Sequence, residues 1–546
     1  MKDNIFTGEQ ARERIMSGIL RSAEAVGGTL GTAGKNALLE DFASPFHHPT
    51  NDGISILGAI HFADPLEEMG RSILYEAVSR TNKKNGDGSS TCTVICAAIL
   101  TEGLKHLEEA HPMDIKRSLE ECLPLIEESL KAQRKEIVYK EGSINFDLLE
   151  QCATISAESP EIGKMVREIY EKIGKDGVVS WESSKTGNDH FEIGTGIKID
   201  GATYASRWMC DDEGGGPGLQ AVLESPFVLL AQDKITSEKE LEKVYGELVG
   251  QGFKELVIFC NEMDEMVLSS LIRSRLPNSQ GGVGFRFLVI KMPVVFNDLW
   301  WEDLQKASGG RLINRSSGIK MKDVGLDFLG KFGRITVTQT DTLIDGIEDL
   351  SKHVLALKVD GSDMALARAA RLNTKTARYF VGGMSDSTLR QRRDKVEDSV
   401  NSAWGAMQNG ILVGGGLALS HASESVLKGN DTTIGGRILT VALKRPIEQI
   451  IKNTGNDVEN TMVEVAKGFI MKGEAYYGFN SKTGKMEDLM DAGIVDSYDV
   501  VLGAVKSAIG VAAGILTCGT VVLLPRQEDN LIDSVAQKVQ QAMTQR

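Results

Sequence analysis

The chain has 546 residues, of which 41 % are hydrophobic and 25 % charged, an ordinary globular composition that at roughly 100–200 residues per domain predicts about three or four domains. Its net charge of −15 argues against a general nucleic-acid binder, because a phosphate backbone demands basic patches. No run of about 18 apolar residues stands out, so no membrane span is expected, and the opening MKDNIFTGEQARERIM has neither the apolar segment of a secretory signal nor the acid-poor character of a mitochondrial leader.

The first 110 or so residues read as helical. ARERIMSGILRSAEAV places apolar residues at three- and four-residue steps, which is one buried helix face. Between about 137 and 195 a helix (EIGKMVREIYEKIG) and a strand (VVSW) flank the turn KDG. From about 195 to 370 the texture changes: the short apolar runs PFVLLA, ELVIFC, FRFLVI and ITVT alternate with helical segments such as SEKELEKVYGELV, which predicts an α/β layer. After about 385 helical patterns return. Two organisations fit this layout, a linear string of domains or a central α/β part inserted into a helical one; texture alone favours the string. Seven cysteines, at 92, 96, 122, 152, 210, 260 and 518, form no CxxC pair. They read as small buried hydrophobes in a reducing, cytoplasmic compartment.

Three glycine-bearing turns and three aspartates are candidates for chemistry. Gly86-Asp87-Gly88-Ser89-Ser90-Thr91 precedes the helical run CTVICAAILTEGLKHL. Glycines let a backbone approach a ligand closely, a helix N-terminus favours phosphate, and Asp87 makes sense there as a magnesium ligand; a plain capped helix explains the same residues. Thr29-Leu30-Gly31-Thr32 and Val413-Gly414-Gly415-Gly416 are weaker signals of the same kind. No GxxxxGK[ST] occurs, which disfavours a P-loop ATPase. Asp52, in Asn51-Asp52-Gly53, and Asp398, in Lys395-Val396-Glu397-Asp398, each suit either a helix cap or solvated face, or the positioning of a water.

Taken together and in order, TLGTAGKN, NDG, GDGSSTCTV, ATISAES, KIGKDGVV, ESPFVLL, KVEDSV, VGGGLAL, YYGFN and DAGIVD resemble the group I (GroEL-type) chaperonins over essentially the whole chain. The resemblance implies a multidomain α and α/β chaperonin fold: a helical equatorial ATPase domain (1–136 and 410–546), a small α/β intermediate hinge domain (137–195 and 374–409) and a centrally inserted α/β apical polypeptide-binding domain (196–373). It implies an ATP- and Mg²⁺-dependent ATPase that promotes folding of non-native polypeptide, works as a homo-oligomeric ring of seven subunits, and uses neither nucleic acid nor membrane. By resemblance Thr29, Leu30, Gly31, Thr32, Asn51, Asp87, Gly88, Ser89, Ser90, Thr91 and Gly415 would contact the nucleotide, Asn480, Ser481, Lys482 and Asp496 would face its adenosine, Asp87 would hold the metal, and Asp52 and Asp398 would orient the attacking water.

The sequence also departs from that family's pattern. TLGPKG reads TLGTAG, a lysine gives way to Asn51, a hinge glycine pair reads Thr374-Lys375, and the stretch 347–370 is short. At the client-binding positions stand Thr203, Arg207, Trp208, Leu241, Glu242, Tyr245, Leu268, Ile272 and Arg273. Polar residues among them weaken unselective capture of apolar surface and place a co-chaperonin lid in doubt. The alternative function is a ring-forming holder or scaffold with weak foldase activity.

Overall fold

The computed structural model describes residues 5–40, 47–139, 142–184, 186–210, 220–275, 284–293, 298–347, 350–360, 362–372, 374–383, 385–430, 433–468 and 475–523. The chain divides into two compact units. One comprises residues 1–168, 183–188 and 381–546; the other comprises 169–182 and 189–380. The two chain ends thus share one unit, and a linear string of domains is not what forms.

The first unit is helical. Its opening helix, Glu9–Gly27, buries Ala11, Ile15, Met16, Ile19, Ala23 and Val26, the face its periodicity predicts. It packs on Pro65–Asn85 and Ser89–Lys105. The helix Tyr498–Leu516 lies against Pro65–Asn85, Ser89–Lys105 and Pro112–Gln133 and buries Ala504, Val505, Ala508, Ala512 and Leu516. By length and composition it is apolar enough to cross a membrane, which corrects the expectation that no such run exists. Its apolar residues serve helix packing in this unit, with small alanines admitting close neighbours. Phe146–Ala157 packs along Asp386–Asn409. Two-stranded ribbons decorate the unit: Ile5–Thr7 with Thr520–Val522, Ala37–Leu39 with His48–Thr50, Ile411–Val413 with Val495–Ser497, and Tyr477–Asn480 with Lys485–Asp488.

The second unit carries the expected α/β layer. Phe227–Ala231, Glu255–Cys260 and Arg286–Lys291 are parallel neighbours, with Leu312–Ile313 on one side and Thr203–Tyr204 antiparallel on the other. The strands are almost wholly buried, as continuous apolar runs in parallel sheets are. A second, antiparallel sheet orders Val178–Ser183, Thr374–Val381, His190–Asp200, Asp341–Asp345, Arg334–Val337 and Ala221–Glu224. The run ITVT belongs to this sheet and not to the parallel one. Thr374 and Lys375 lie inside a strand, opposite Gly196 and Thr195. The stretch 347–370 contributes to the helices Ser351–Asp360 and Asp363–Leu372. Arg368 of the latter is held by Asp303, which also meets His353 at 2.7 Å. All seven cysteines are free and six are buried.

Candidate functional site

The first unit gathers the candidate aspartates around the start of one helix. Pro65–Asn85 ends at Gly86, whose φ of 74° is left-handed, and Ser89–Lys105 begins after Gly88 with φ 89°. Both glycines are required sterically as well. A Cβ on Gly86 would lie 2.0 Å from the Asn401 Cβ, and one on Gly88 would lie 3.0 Å from Val500. No side chain caps the helix that begins at Ser89 and no acid stands in its first turn, so its first N–H groups keep their capacity for a ligand. The N-terminus of Gly53–Ala59 comes close, since a Cβ on Gly53 would meet the hydroxyls of Ser89 and Ser90 at 2.9 and 3.0 Å. That short helix is capped by Asp52, which accepts from Ile54 N–H at 3.3 Å and Ser55 N–H at 2.8 Å.

Asp87 is held by three donors. Its Oδ1 accepts from the Gly88 N–H; its Oδ2 accepts from the Ser156 hydroxyl at 2.7 Å and the Ser402 hydroxyl at 3.3 Å. Burial nevertheless raises its pKa, with Asp52 adding to the rise. Asp398, on Asp386–Asn409, is pushed well above the usual carboxylate range by burial and then by Asp87, Asp52, Glu397 and Asp394. Asp394, one turn earlier, rises to about 7 through burial, Asp52 and Glu397. Asp496, opposite Leu412 in the Ile411–Val413 ribbon, rises to about 7 through burial and Asp87. Six carboxyl groups, those of Asp52, Asp87, Asp394, Glu397, Asp398 and Asp496, influence one another here, and protons or a cation ease their repulsion.

The remaining residues predicted to contact nucleotide lie in the same unit. Thr29 donates to Val26 O at 2.8 Å at the end of the first helix, and the turn 28–35 closes on itself through Lys35 N–H to Gly28 O at 2.9 Å. Gly31 and Gly416 both lie against Arg445–Asn453, next to Ile450 and Ile447. Thr32 meets the Ser481 hydroxyl at 2.8 Å, joining the two turns. Asn480 is buried and accepts from Lys482 N–H at 2.9 Å, while the Lys482 side chain is exposed. Gly415, with φ 64°, lies 3.4 Å by its would-be Cβ from Leu489, the residue that also covers Gly478. Thr91 is half-buried in the first turn of its helix.

Sequence reasoning missed Ser156, Ser402 and Asp394 as neighbours of this cluster. ATISAES was legible as a motif, but nothing in it said that Ser156 faces Asp87. Asp394 and Asp398 are four apart on one helix, a spacing that puts both on one face and was available from the start.

In the second unit the client positions separate. Trp208 is 58 % exposed beside exposed Arg207 in a short turn, and half-buried Thr203 pairs with Lys291. Leu241 is only 2 % exposed and closes the core, so the expectation that it offers surface to a client is not met. Tyr245 turns edge-on to Phe285 at 5.0 Å, and Leu268 and Ile272 rest against the core. Glu242 and Arg273 are exposed and line, with Tyr245 and Phe287, a cavity of about 470 Å³.

The arrangement can be compared with known proteins. The fold is similar to a crystal structure of the chaperonin gp146 from the bacteriophage EL 2 (Pseudomonas aeruginosa), solved in the presence of ATP-BeFx, with 17 % identity, a TM-score of 0.68, and coverage of 96 % of this chain and 100 % of that one. At that identity the likeness is one of fold. The sequence pattern of the TCP-1/cpn60 chaperonin family matches residues 23–269 and 297–525, so the chain belongs to the TCP-1/cpn60 chaperonin family.

Proposed function

We propose that this chaperonin is a cytoplasmic, Mg²⁺-dependent ATPase that assembles into rings of seven subunits and promotes the folding of non-native polypeptide. The observation that carries the proposal is the convergence of Asp52, Asp87 and Asp398 on an uncapped helix N-terminus flanked by Ser89 and Ser90. The similar phage protein was solved with an ATP analogue present, which supports the same reading. The three-domain division at 1–136/410–546, 137–195/374–409 and 196–373 is part of the proposal.

The donor set fits the cofactor. Every candidate ligand is an oxygen, which suits a hard cation, and among the described residues no three His, Cys, Asp or Glu side chains converge to hold a metal unaided. Mg²⁺ is commonly bound by one or two carboxylates plus phosphates, and Asp87 is the carboxylate best placed to serve. Bound magnesium would supply positive charge against phosphate oxygens. Ser156 and Ser402 fix the Asp87 carboxylate, Gly86 and Gly88 give the backbone its approach, and Asp398 with Asp52 would hold the water in line with the terminal phosphate. Phosphoryl transfer is catalysed chiefly by such positioning and charge stabilisation.

A second reading, a ring that holds clients and folds them poorly, is favoured by one observation. Arg207, Glu242 and Arg273 are exposed where an apolar client face is expected, while Leu241 is buried. The two readings part on one assay. Purified protein should turn over ATP only with magnesium and should raise the recovery of a denatured client, with or without a lid protein. Asp398→Ala should lower turnover by about a hundredfold or more while ATP binding stays near wild type. Absence of magnesium-dependent turnover would refute the ATPase; turnover without any gain in client recovery would favour the holder.

A further inference from the structure

Glu158 follows the helix Phe146–Ala157 with a left-handed φ of 51°, a conformation that non-glycine residues adopt at a cost. One of its carboxylate oxygens, Oε2, accepts two hydrogen bonds. The Asn51 Nδ2 donates at 2.7 Å and the Lys395 Nζ at 3.0 Å. Each of the three residues lies near, in sequence, a member of the carboxylate cluster or a residue that holds one. Asn51 precedes Asp52, Glu158 lies two residues after Ser156, which holds Asp87, and Lys395 sits between Asp394 and Asp398 on one helix. The Lys395 side chain is 23 % exposed and that of Glu158 33 %, so water and solutes reach the pair.

We infer that Lys395 is the phosphate-binding cation of this site, held on Glu158 until the polyphosphate chain of a nucleoside triphosphate competes for it. The inference rests on reading the site as a nucleotide pocket. Asp52, Asp87, Asp394, Asp398 and Asp496 repel an anionic ligand in proportion to their ionisation, and a positive charge beside them is the natural counterweight. Arg390 and Arg393 act on Asp394, whereas the Lys395 ammonium shares Glu158 Oε2 with the Asn51 amide. A partly exposed ion pair with one carboxylate is weak, and a triphosphate carries more charge than Glu158. The flexible four-carbon stem of lysine lets the ammonium move between them. Because Asn51 and Lys395 meet the same oxygen, a lysine placed at 51 would bring its charge to the same spot.

The experiment is calorimetric titration of the full-length protein with Mg·ATP and Mg·ADP. Lys395→Met should weaken ATP binding about tenfold or more, as loss of a charge-assisted hydrogen bond does, and weaken ADP binding less. Glu158→Gln breaks the same ion pair yet should leave ATP binding unchanged or tighter, because it frees the lysine. Asn51→Lys should restore ATP affinity in the Lys395→Met background. Lys395→Arg, which keeps the charge, should retain most of the affinity and serves if the methionine variant does not fold. Equal weakening by Lys395→Met and Glu158→Gln would make the pair a structural tie and overturn the inference. So would an unchanged affinity in Lys395→Met. A wild-type protein that binds no ATP would overturn the proposed function itself, a result distinct from either.

Discussion

Asp394 sits one turn before Asp398, and burial together with Asp52 and Glu397 lifts its carboxyl from an ordinary 3.8 to about 7. The native state therefore holds a proton between those values that the unfolded chain releases. Stability from this group falls as pH rises through that window, because the folded state binds more protons than the unfolded one. Replacing the group with a neutral amide removes the penalty. Asp394→Asn should thus raise the melting temperature of the nucleotide-free protein at pH 8 and change it little at pH 4, with an upper bound of about 4 kcal/mol. Thermal melts across that pH range are the check; a loss of stability at pH 8 would show that the Asp394 carboxylate makes a contact worth more than its repulsion. The proposed function accounts for the retention of such an unfavourable cluster. On that function, a cation brought to the site would ease the repulsion among the carboxylates, so the apo-state cost would become part of the binding selectivity.

Between elements, a tight constraint is the crossing of the Gly86 turn and the helix Asp386–Asn409. A Cβ on Gly86 would fall 2.0 Å from the Asn401 Cβ, an atom fixed to its own backbone, so the helix bearing Asp398 must shift. Gly86→Ala should therefore cost more than the roughly 1–2 kcal/mol of a left-handed alanine, and should lower ATP turnover as well. Gly455 is the control: its φ is 80° but nothing lies within 4 Å of a Cβ there. Gly455→Ala should show the conformational cost alone, and equal melting shifts for the two variants would refute the contact argument. This crossing also marks what the sequence could and could not reveal. The helices were legible because periodicity is local, and the parallel strands because PFVLLA, ELVIFC and FRFLVI are unbroken apolar runs. GDGSST was legible as a turn with phosphate chemistry. Ser156, Ser402 and Glu158 were not, because their roles depend on partners 69 to 315 residues away. The burial of Leu241 was not legible for a related reason: position in a helical segment does not say which way the side chain faces until the sheet beneath it is in place.

At the scale of the whole molecule, exposed strand edges are the feature that invites assembly. Ile5–Thr7 pairs with Thr520–Val522, and Ala37–Leu39 pairs with His48–Thr50; among the described residues each of these strands pairs on one side only. Their side chains include Leu38 at 68 % exposed, Ile5 at 58 % and Val522 at 56 %. Unpaired, apolar strand edges invite another strand, and proteins that keep them generally cover them. Copies joined head to tail through such edges, each using a different surface from its neighbour, close into a ring if the rotation between them closes. We therefore expect the ribbons to carry the contacts between subunits. Leu38→Lys combined with Ile5→Lys should convert closed rings into single subunits, read by native mass spectrometry and electron microscopy, while the helical circular dichroism of each subunit stays as in the wild type. ATP turnover per subunit should survive in part, because Asp52, Asp87 and Asp398 all belong to one unit of one chain. Rings that persist in the double variant would show that the ribbons are covered by something other than a neighbouring copy. A wild-type protein that stays monomeric with ATP and magnesium would remove the ring from the proposed function altogether.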